Sequence, residues 1–253
     1  MKTEAVQFAG ADGQKLAARL DAPDEPARAY ALFAHCFTCS KDVFAASRIA
    51  ARLSEHGIAV LRFDFTGLGA SEGEFANTNF SSNVADLVAA ADYLREARRA
   101  PMLLVGHSLG GAAVLAAAGR VAESKAVITL CAPSDPAHVT GLFRDHVAQI
   151  EHAGEADVVL AGRPFRIKRQ FLADVAEQNL LARVATLRRA LLVMHSPRDD
   201  TVDIANATRI FGAAKHPKSF ISLDDADHLL TARRDANYVA DLIAAWSARY
   251  VAN

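Results

Sequence analysis

The chain has 253 residues, 51% hydrophobic and 23% charged, which is the composition of a globular protein with a sizeable core. Its net charge of −1 provides no general attraction to nucleic acid or anionic membranes, so neither is expected as a partner. No signal peptide is recognisable near Met1, no apolar run is long enough for a membrane span, and three cysteines do not indicate a secreted disulfide scaffold. The sequence therefore predicts a cytoplasmic protein.

Predicted strands and helices follow one another along the first half of the chain. The predicted strands are AVQFAG, KLAARL, YALFAH, IAVLRFDF and MLLVGH. Amphipathic helices are predicted at about residues 42–56 and 81–99, and Gly57 is a suitable stop for the first of them.

The second half continues this pattern after one interruption. A helix of small residues at 111–120 precedes the strand AVITL, and the strands LLVMH and SFISL flank the helical IANATRIFGAA. A helix over residues 238–251 ends the pattern. Continuous apolar runs that alternate with helices favour a mostly parallel, doubly wound sheet with both faces covered.

The interruption lies at about residues 133–187, where the sequence becomes polar and helical. It contains DVVLAGRPFRIKR, in which Gly162 and Pro164 predict a short hairpin. An insertion between strands at the C-terminal edge of a sheet is typical of a cap over a site. We therefore expect one domain over residues 1–253 with a small, helical inserted cap.

The stretch Gly106-His107-Ser108-Leu109-Gly110 matches G-x-S-x-G and lies between an apolar strand and a helix of small residues. A serine on such a tight strand-to-helix turn has strained backbone, so its close neighbours must lack side chains. The pattern alone is weak, since a glycine-rich packing turn can match it by chance. Its position between strand and helix is the context that a nucleophilic serine requires.

A nucleophilic serine needs a base and an acid that orients the base. Among nine histidines, His228 in LDDADHLL follows the predicted strand SFISL directly and is the candidate base. The loop after LLVMH offers Asp199, Asp200 and Asp203 as the acid. Asp203 precedes IANATRIF and is well placed as a helix N-cap, whereas Asp200 has no such structural role and is expected to be solvated.

These pieces together resemble the α/β-hydrolase superfamily, nearly from end to end. The matching segments are HCF, DFTGLGASEG, GHSLGG, HSPRDDTV and ADHLL, in the serine, acid, histidine order of that fold. The resemblance implies Asp199 as the acid, because Asp199 and Val202 match the D-x-x-V of the family. HCFTCSKD and FDFTGLGASEGEFANTNF further resemble the hydrolase half of bacterial proteins fused to an OsmC-like hydroperoxide reductase. The 253 residues contain no counterpart of that second domain, so an OsmC-like domain or protein is a candidate partner.

The resemblance implies an oxyanion hole made of the backbone N–H groups of Phe37 and Leu109. Cys36 stands where the family usually has glycine, a departure at this loop. Cys36 and Cys39 form C-x-x-C, which could be a redox pair or half of a zinc site. No second ligand pair follows, so we expect buried, unpaired thiols. A disulfide, the alternative, would reshape the loop and lower turnover.

Two further features have ordinary interpretations. Arg163, Arg166, Lys168 and Arg169 give the cap hairpin a basic edge, which is expected to be solvated rather than to bind an acidic ligand. The glycines at 67–73 do not match a dinucleotide-binding pattern. The sequence thus predicts no cofactor and no metal.

The resemblance implies a serine hydrolase that cleaves small or short-chain carboxylic esters through an acyl-enzyme. An aminopeptidase or a thioesterase would use the same three residues. A non-catalytic binding domain for a redox partner is the alternative from another class.

Overall fold

The computed structural model describes residues 1–252, and an eight-stranded sheet forms its centre. Two more strands form a separate hairpin. In chain order the strands are β1 (Lys2–Ala9), β2 (Lys15–Ala22), β3 (Ala29–Ala34), β4 (Ile58–Phe63), β5 (Leu103–His107), β6 (Ala126–Leu130), β7 (Glu155–Leu160), β8 (Arg163–Lys168), β9 (Ala190–His195) and β10 (Lys218–Ser222).

The strand order in the sheet is β1-β2-β4-β3-β5-β6-β9-β10. β1 and β2 pair antiparallel, and β2 is antiparallel to β4, whereas all neighbours from β4 to β10 are parallel. Parallel strands end at the same edge, so the loops that follow β3, β5, β9 and β10 meet there. The mostly parallel sheet is as the sequence predicts.

Helices cover both faces of the sheet. They are α1 (Phe44–Glu55), α2 (Phe80–Ala97), α3 (Leu109–Ala117), α4 (Arg144–Ala153), α5 (Arg169–Ala176), α6 (Leu180–Ala185), α7 (Ala205–Ala213) and α8 (Arg233–Val251). One apolar cluster joins α2, α3 and α7 to the sheet, and the other joins α1 and α8 to it. The sheet is therefore buried on both faces, which explains why its central strands are continuous apolar runs.

Helix α8 begins at Arg233, five residues before its predicted start at Tyr238. The first turn of α8 is polar, so the apolar periodicity from which the helix was predicted begins only after the helix itself has started. Asp235 in that turn is favourable beside the helix N-terminus, and Ala236 and Val239 already face the core. No helix in residues 1–252 combines the length and the apolar character needed to cross a membrane.

Residues 133–187, which we call the cap segment, lie between β6 and β9. They contain a 3-10 helix (Pro136–Phe143), α4, the β7–β8 hairpin, α5 and α6. The predicted hairpin is present, with Ala161 and Gly162 between its strands. The Phe171 ring lies 5.4 Å from the ring of Phe37, so the cap segment packs against the loop after β3.

Candidate functional site

Ser108 lies between the last residue of β5 and the first residue of α3, with φ 55° and ψ −126°. This backbone conformation is uncommon for a residue with a side chain and is found where the surrounding structure enforces it. The strand before Ser108 and the helix after it are both buried, so the turn is held rigidly. The hydroxyl is thereby presented at the carboxyl edge of the sheet.

The glycines around Ser108 are required by close approaches of the backbone. A Cβ on Gly106 would collide with the backbone of Gly110, and a Cβ on Gly110 would collide with the carbonyl oxygens of Ala34 and His35. The start of α3 therefore lies directly against the end of β3. These contacts explain the steric pattern of the motif and bring the loop after β3 to Ser108.

The structure brings Ser108, His228 and Asp199 together from three separate loops. His228 Nε2 accepts a hydrogen bond from Ser108 Oγ at 3.1 Å, and Nδ1 donates to Asp199 Oδ2 at 2.8 Å. All three side chains are buried. A base in contact with a hydroxyl, and an acid in contact with the base, is an arrangement that can activate the hydroxyl as a nucleophile.

Asp199 is held by its own loop as well as by His228. Its Oδ1 accepts hydrogen bonds from the N–H groups of Thr201 (2.9 Å) and Val202 (2.8 Å). Burial would raise the pKa of Asp199, but the hydrogen bonds from His228 and these N–H groups outweigh burial and lower the pKa to about 2. The carboxylate is therefore ionised near neutral pH and can stabilise a protonated His228.

The other two aspartates of this loop have different surroundings. Asp203 accepts a hydrogen bond from the N–H of Ala205, the first residue of α7, at 2.7 Å. Asp200 is exposed and accepts one from the hydroxyl of Thr201 at 3.1 Å. Only Asp199 contacts His228, so the distinction that the sequence suggested among the three matches their geometry.

Two more histidines surround the site, and the sequence analysis did not single them out. His107 Nε2 donates to the carbonyl oxygen of His228 at 2.7 Å, and His195 Nε2 donates to that of Val202 at 2.7 Å. Burial lowers the pKa of His195, and burial lowers that of His107 to about 4. Each is the last residue of a buried strand, and this position at the carboxyl edge of the sheet could have indicated a place near the site. As neutral donors they hold the two loops that bear His228 and Asp199.

We expect the free energy of unfolding to fall as the pH drops from about 6.5 toward about 4. The pKa of His107 is about 4 in the folded protein and 6.5 in the unfolded one, so between these values only the unfolded chain binds the proton. Stability from this group is complete above 6.5 and declines by up to about 3 kcal/mol as the pH falls. Urea unfolding across this range measures the decline.

The variant His107→Gln is the control for this pH dependence. Glutamine keeps an N–H donor but does not titrate, so its stability should fall less steeply with pH than that of the wild type. An unfolding midpoint of the wild type that is constant over the same range would contradict the assignment of a neutral, buried His107.

Phe37 and Leu109 lie on the two sides of one small cavity of about 10 Å³, which is room for a single water molecule. Within residues 1–252, no acceptor receives the N–H of Phe37. Leu109 is the first residue of α3, where N–H groups have no acceptor within the helix. Both N–H groups thus lack an acceptor among the described residues, and their role as oxyanion donors stays a prediction.

The prediction of unpaired thiols at Cys36 and Cys39 is wrong, because the structure joins them in a disulfide. Their Cα atoms are 5.4 Å apart, within the range that a disulfide requires. A turn makes this distance possible: the N–H of Cys39 donates to the carbonyl oxygen of Cys36 at 3.2 Å. The sequence spacing alone did not distinguish this turn from an extended loop.

Cys131, the first residue after β6, is buried beside Asp199. Its Sγ lies within 4.8 Å of ligand atoms of Asp199 and His228, a grouping that could in principle hold a cation. Burial raises the pKa of the Cys131 thiol, however, and a neutral thiol is a poor metal ligand. His228 Nδ1 is already bonded to Asp199. These residues therefore do not fit a metal ion.

The basic edge of the cap segment is largely paired. Arg166 contacts Asp157 at 2.8 Å, Lys168 donates to the Asn77 side chain at 2.7 Å, and Arg169 donates to the His152 carbonyl oxygen at 3.2 Å. Arg163 donates to the carbonyl oxygen of Thr38, in the turn closed by the disulfide. These contacts are structural and leave no cluster of free cations there among the described residues.

Comparison with known proteins agrees with the fold described above. The model of a family described as "Alpha/beta hydrolase family" matches residues 31–249. The chain is 52% identical to the esterase domain of a Rhodothermus marinus protein, with a TM-score of 0.82 and complete coverage of both chains. Among curated proteins, it is 24% identical to the uncharacterized protein YfhR of Salmonella typhimurium, covering 90% of this chain and 75% of YfhR. It is 26% identical to the mouse mitochondrial palmitoyl-protein thioesterase ABHD10, over 71% of this chain and 62% of that protein.

Proposed function

The chain belongs to the alpha/beta hydrolase family, and on that premise we propose that it is a serine hydrolase that cleaves carboxylic esters. The observation that best supports this is the pair of hydrogen bonds linking Ser108 to His228 and His228 to Asp199. The similarity to an esterase domain of another protein, at 52% identity, agrees with the proposal. The family fixes the hydrolase fold, and the ester substrate is our inference.

In the proposed reaction Ser108 Oγ attacks the acyl carbon while His228 Nε2 takes its proton. Asp199, ionised at neutral pH, stabilises the protonated His228 and keeps Nδ1 as the donor. The N–H groups of Phe37 and Leu109 stabilise the negative oxygen of the tetrahedral intermediate. His228 then protonates the departing alcohol. A water deprotonated by His228 attacks the acyl-enzyme and releases the acid.

A small acyl group is the second element of the proposal. The ring of Phe37 packs against two other rings, with centroid distances of 5.6 Å to Phe75 and 5.4 Å to Phe171. The ring of Phe165 in turn lies 4.9 Å from that of Phe75, centroid to centroid. These aromatic rings fill the space that a long acyl chain would need.

We expect faster turnover on two- to four-carbon than on ten-carbon p-nitrophenyl esters. Removing the Phe171 ring should open the acyl space, so Phe171→Ala should shift the ratio of kcat/KM toward the longer ester by about tenfold. Phe8→Ala, which removes another buried ring on β1, is the matched control and should leave the ratio unchanged. A wild type that prefers the ten-carbon ester would contradict this part of the proposal.

A thioesterase is the second candidate, favoured by the similarity to a palmitoyl-protein thioesterase. The chemistry would be the same, with a thiol as the leaving group. The restricted acyl space speaks against a palmitoyl group. Oxygen esters and thioesters with the same short acyl group, assayed beside aminoacyl amides, separate an esterase from a thioesterase and an aminopeptidase. A cytoplasmic location and an OsmC-like partner stay predictions.

A further inference from the structure

The turn at residues 36–39 has an unusual backbone. Its four residues are closed by the hydrogen bond from the Cys39 N–H to the Cys36 carbonyl oxygen, with Phe37 and Thr38 at the centre. Thr38 has φ 60°, in the left-handed region that β-branched residues rarely occupy. Such a conformation persists only where the surroundings enforce it. The disulfide between the two ends of the turn is the covalent part of that constraint.

This turn presents the N–H of Phe37, one of the two donors of the proposed oxyanion hole. The residues after it are held separately, because the Lys41 N–H and side chain both bond to the buried Asp64, at 2.6 and 2.7 Å. Opening the disulfide would thus free the turn without releasing the following segment. The cross-link therefore helps to fix the direction of the Phe37 N–H.

The disulfide also borders an open cleft of about 370 Å³, a volume in the range of small-molecule sites. The walls of this cleft include the apolar side chains of Val43, Phe44 and Leu229. Phe44 is 68% exposed and Leu229 is 50% exposed. Asp42 is the one charged residue among the described residues that line it. Cys39 is partly exposed, whereas Cys36 is buried.

We propose that the Cys36–Cys39 disulfide is a thiol-exchange site that takes a small, uncharged, apolar thiol in this cleft and that its reduction lowers the turnover of the enzyme. This direction is the opposite of the one expected from the sequence, because the turn that presents the Phe37 N–H is closed with the disulfide in place. The apolar walls favour such a thiol over a charged, polar thiol such as glutathione. The Asp42 carboxylate is paired with Arg19 at 2.9 Å and with Arg62 at 2.8 Å, so the cleft gains no net charge from it. The first half of the proposal concerns the disulfide alone. The second half rests on the proposed ester hydrolysis.

The exchange proceeds in two steps. The thiolate of the bound thiol attacks Sγ of Cys39, the more exposed of the two cysteines, and the protein disulfide breaks. The electron pair leaves on Cys36, which takes a proton from water, and a mixed disulfide remains on Cys39. A second thiolate attacks the sulfur that came from the first thiol and releases Cys39. Two small thiols are oxidised to one disulfide, and the protein disulfide is reduced to two thiols.

Reduction should lower kcat and leave KM nearly unchanged, because an oxyanion donor acts mainly on the transition state. Complete loss of such a donor typically costs about 10²–10³-fold in turnover. A freed turn still presents the N–H part of the time, so we expect a decrease of about tenfold. The hydrogen bond from Arg163 to Thr38 would keep part of the turn in place after reduction.

The exchange itself is tested on the folded wild type by mass spectrometry of thiols alkylated after exposure to benzyl mercaptan or glutathione. We expect benzyl mercaptan to expose Cys36 and Cys39 faster than glutathione at equal thiolate concentration, and Phe44→Ala to reduce this preference. With dibenzyl disulfide, Cys36→Ser should form a mixed disulfide at Cys39, and the matched variant Cys39→Ser should react far more slowly at Cys36. Absence of reduction, or equal reactivity of the two variants, would overturn the exchange site.

Turnover of a short-chain ester is measured on the same samples. We expect kcat to fall in proportion to the fraction of reduced disulfide and to recover on reoxidation. The kcat of Cys39→Ser should be low and should not change when thiols are added. A kcat that is unchanged or rises on reduction would overturn the regulatory half of the proposal. Absence of ester hydrolysis in both redox states would instead refute the proposed function and the regulation resting on it, while the alkylation still decides the exchange site.

Discussion

Replacement of Ser108 by alanine should abolish ester hydrolysis. Ser108 Oγ is the only proposed nucleophile and lies 3.1 Å from His228 Nε2, so its loss removes the covalent route altogether. When serine and base act as a unit, removing the nucleophile costs on the order of 10⁶-fold in kcat. Turnover of p-nitrophenyl acetate measures the loss.

The fold should survive this change, because the Ser108 hydroxyl bonds only to His228, and alanine keeps the backbone hydrogen bond from residue 108 to the Leu130 carbonyl oxygen. Ser247→Ala is the matched control: it removes another buried hydroxyl, one without a hydrogen-bond partner among the described residues, on α8. Its turnover should equal that of the wild type. Retention of more than a few per cent of activity by a folded Ser108→Ala would refute the assignment of the nucleophile.

Replacement of Asp199 by asparagine should lower kcat by about 10⁴-fold, the effect seen when the acid of a serine triad loses its charge. The asparagine oxygen can still accept from the Thr201 and Val202 N–H groups, which leaves its NH₂ facing His228 Nδ1. His228 would then carry its proton on Nε2 and could not accept one from Ser108. The loop geometry remains while the base is lost.

Two neighbouring variants complete this test. Asp200→Asn changes an exposed carboxylate and should have no effect on kcat. Asp203→Asn weakens the start of α7 and should lower stability slightly while leaving kcat unchanged. A larger loss of turnover in either of them than in Asp199→Asn would show that the acid has been assigned to the wrong residue.

The positions of Ser108, His228 and Asp199 could be predicted because each follows an apolar run that is recognisable as a strand. In a parallel sheet the ends of such strands share one edge, so distant parts of the sequence come together without any knowledge of side-chain contacts. The preference for Asp199 rested on the D-x-x-V pattern of the family that the chain resembles, and local chemistry gave Asp203 a separate role before a helix.

The disulfide could not be predicted in the same way. A spacing of three residues fits a tight turn or an extended loop, and the turn here depends on a positive φ at Thr38 that a β-branched residue avoids. That conformation is set by the surroundings, including Arg163 of the cap segment, which lies far away in sequence. Local propensity contains no information about it.

The roles of His107 and His195 were missed for a related reason. Each ends a buried strand, and sequence alone does not tell which carbonyl oxygen its ring will meet. The packing of the cap segment also could not be predicted from its sequence. Its buried residues, such as Phe171, join the core of α2 and α3, so its polar sequence gave little indication of how closely it packs on the loop after β3.

The central claim is that Ser108 is the activated nucleophile, and mass spectrometry after reaction with a fluorophosphonate tests it most directly. We expect one adduct per chain, located by peptide mapping on Ser108, formed rapidly by the wild type and at least about a thousandfold more slowly by Asp199→Asn. An adduct on another residue, or no adduct on a folded protein, would contradict the account.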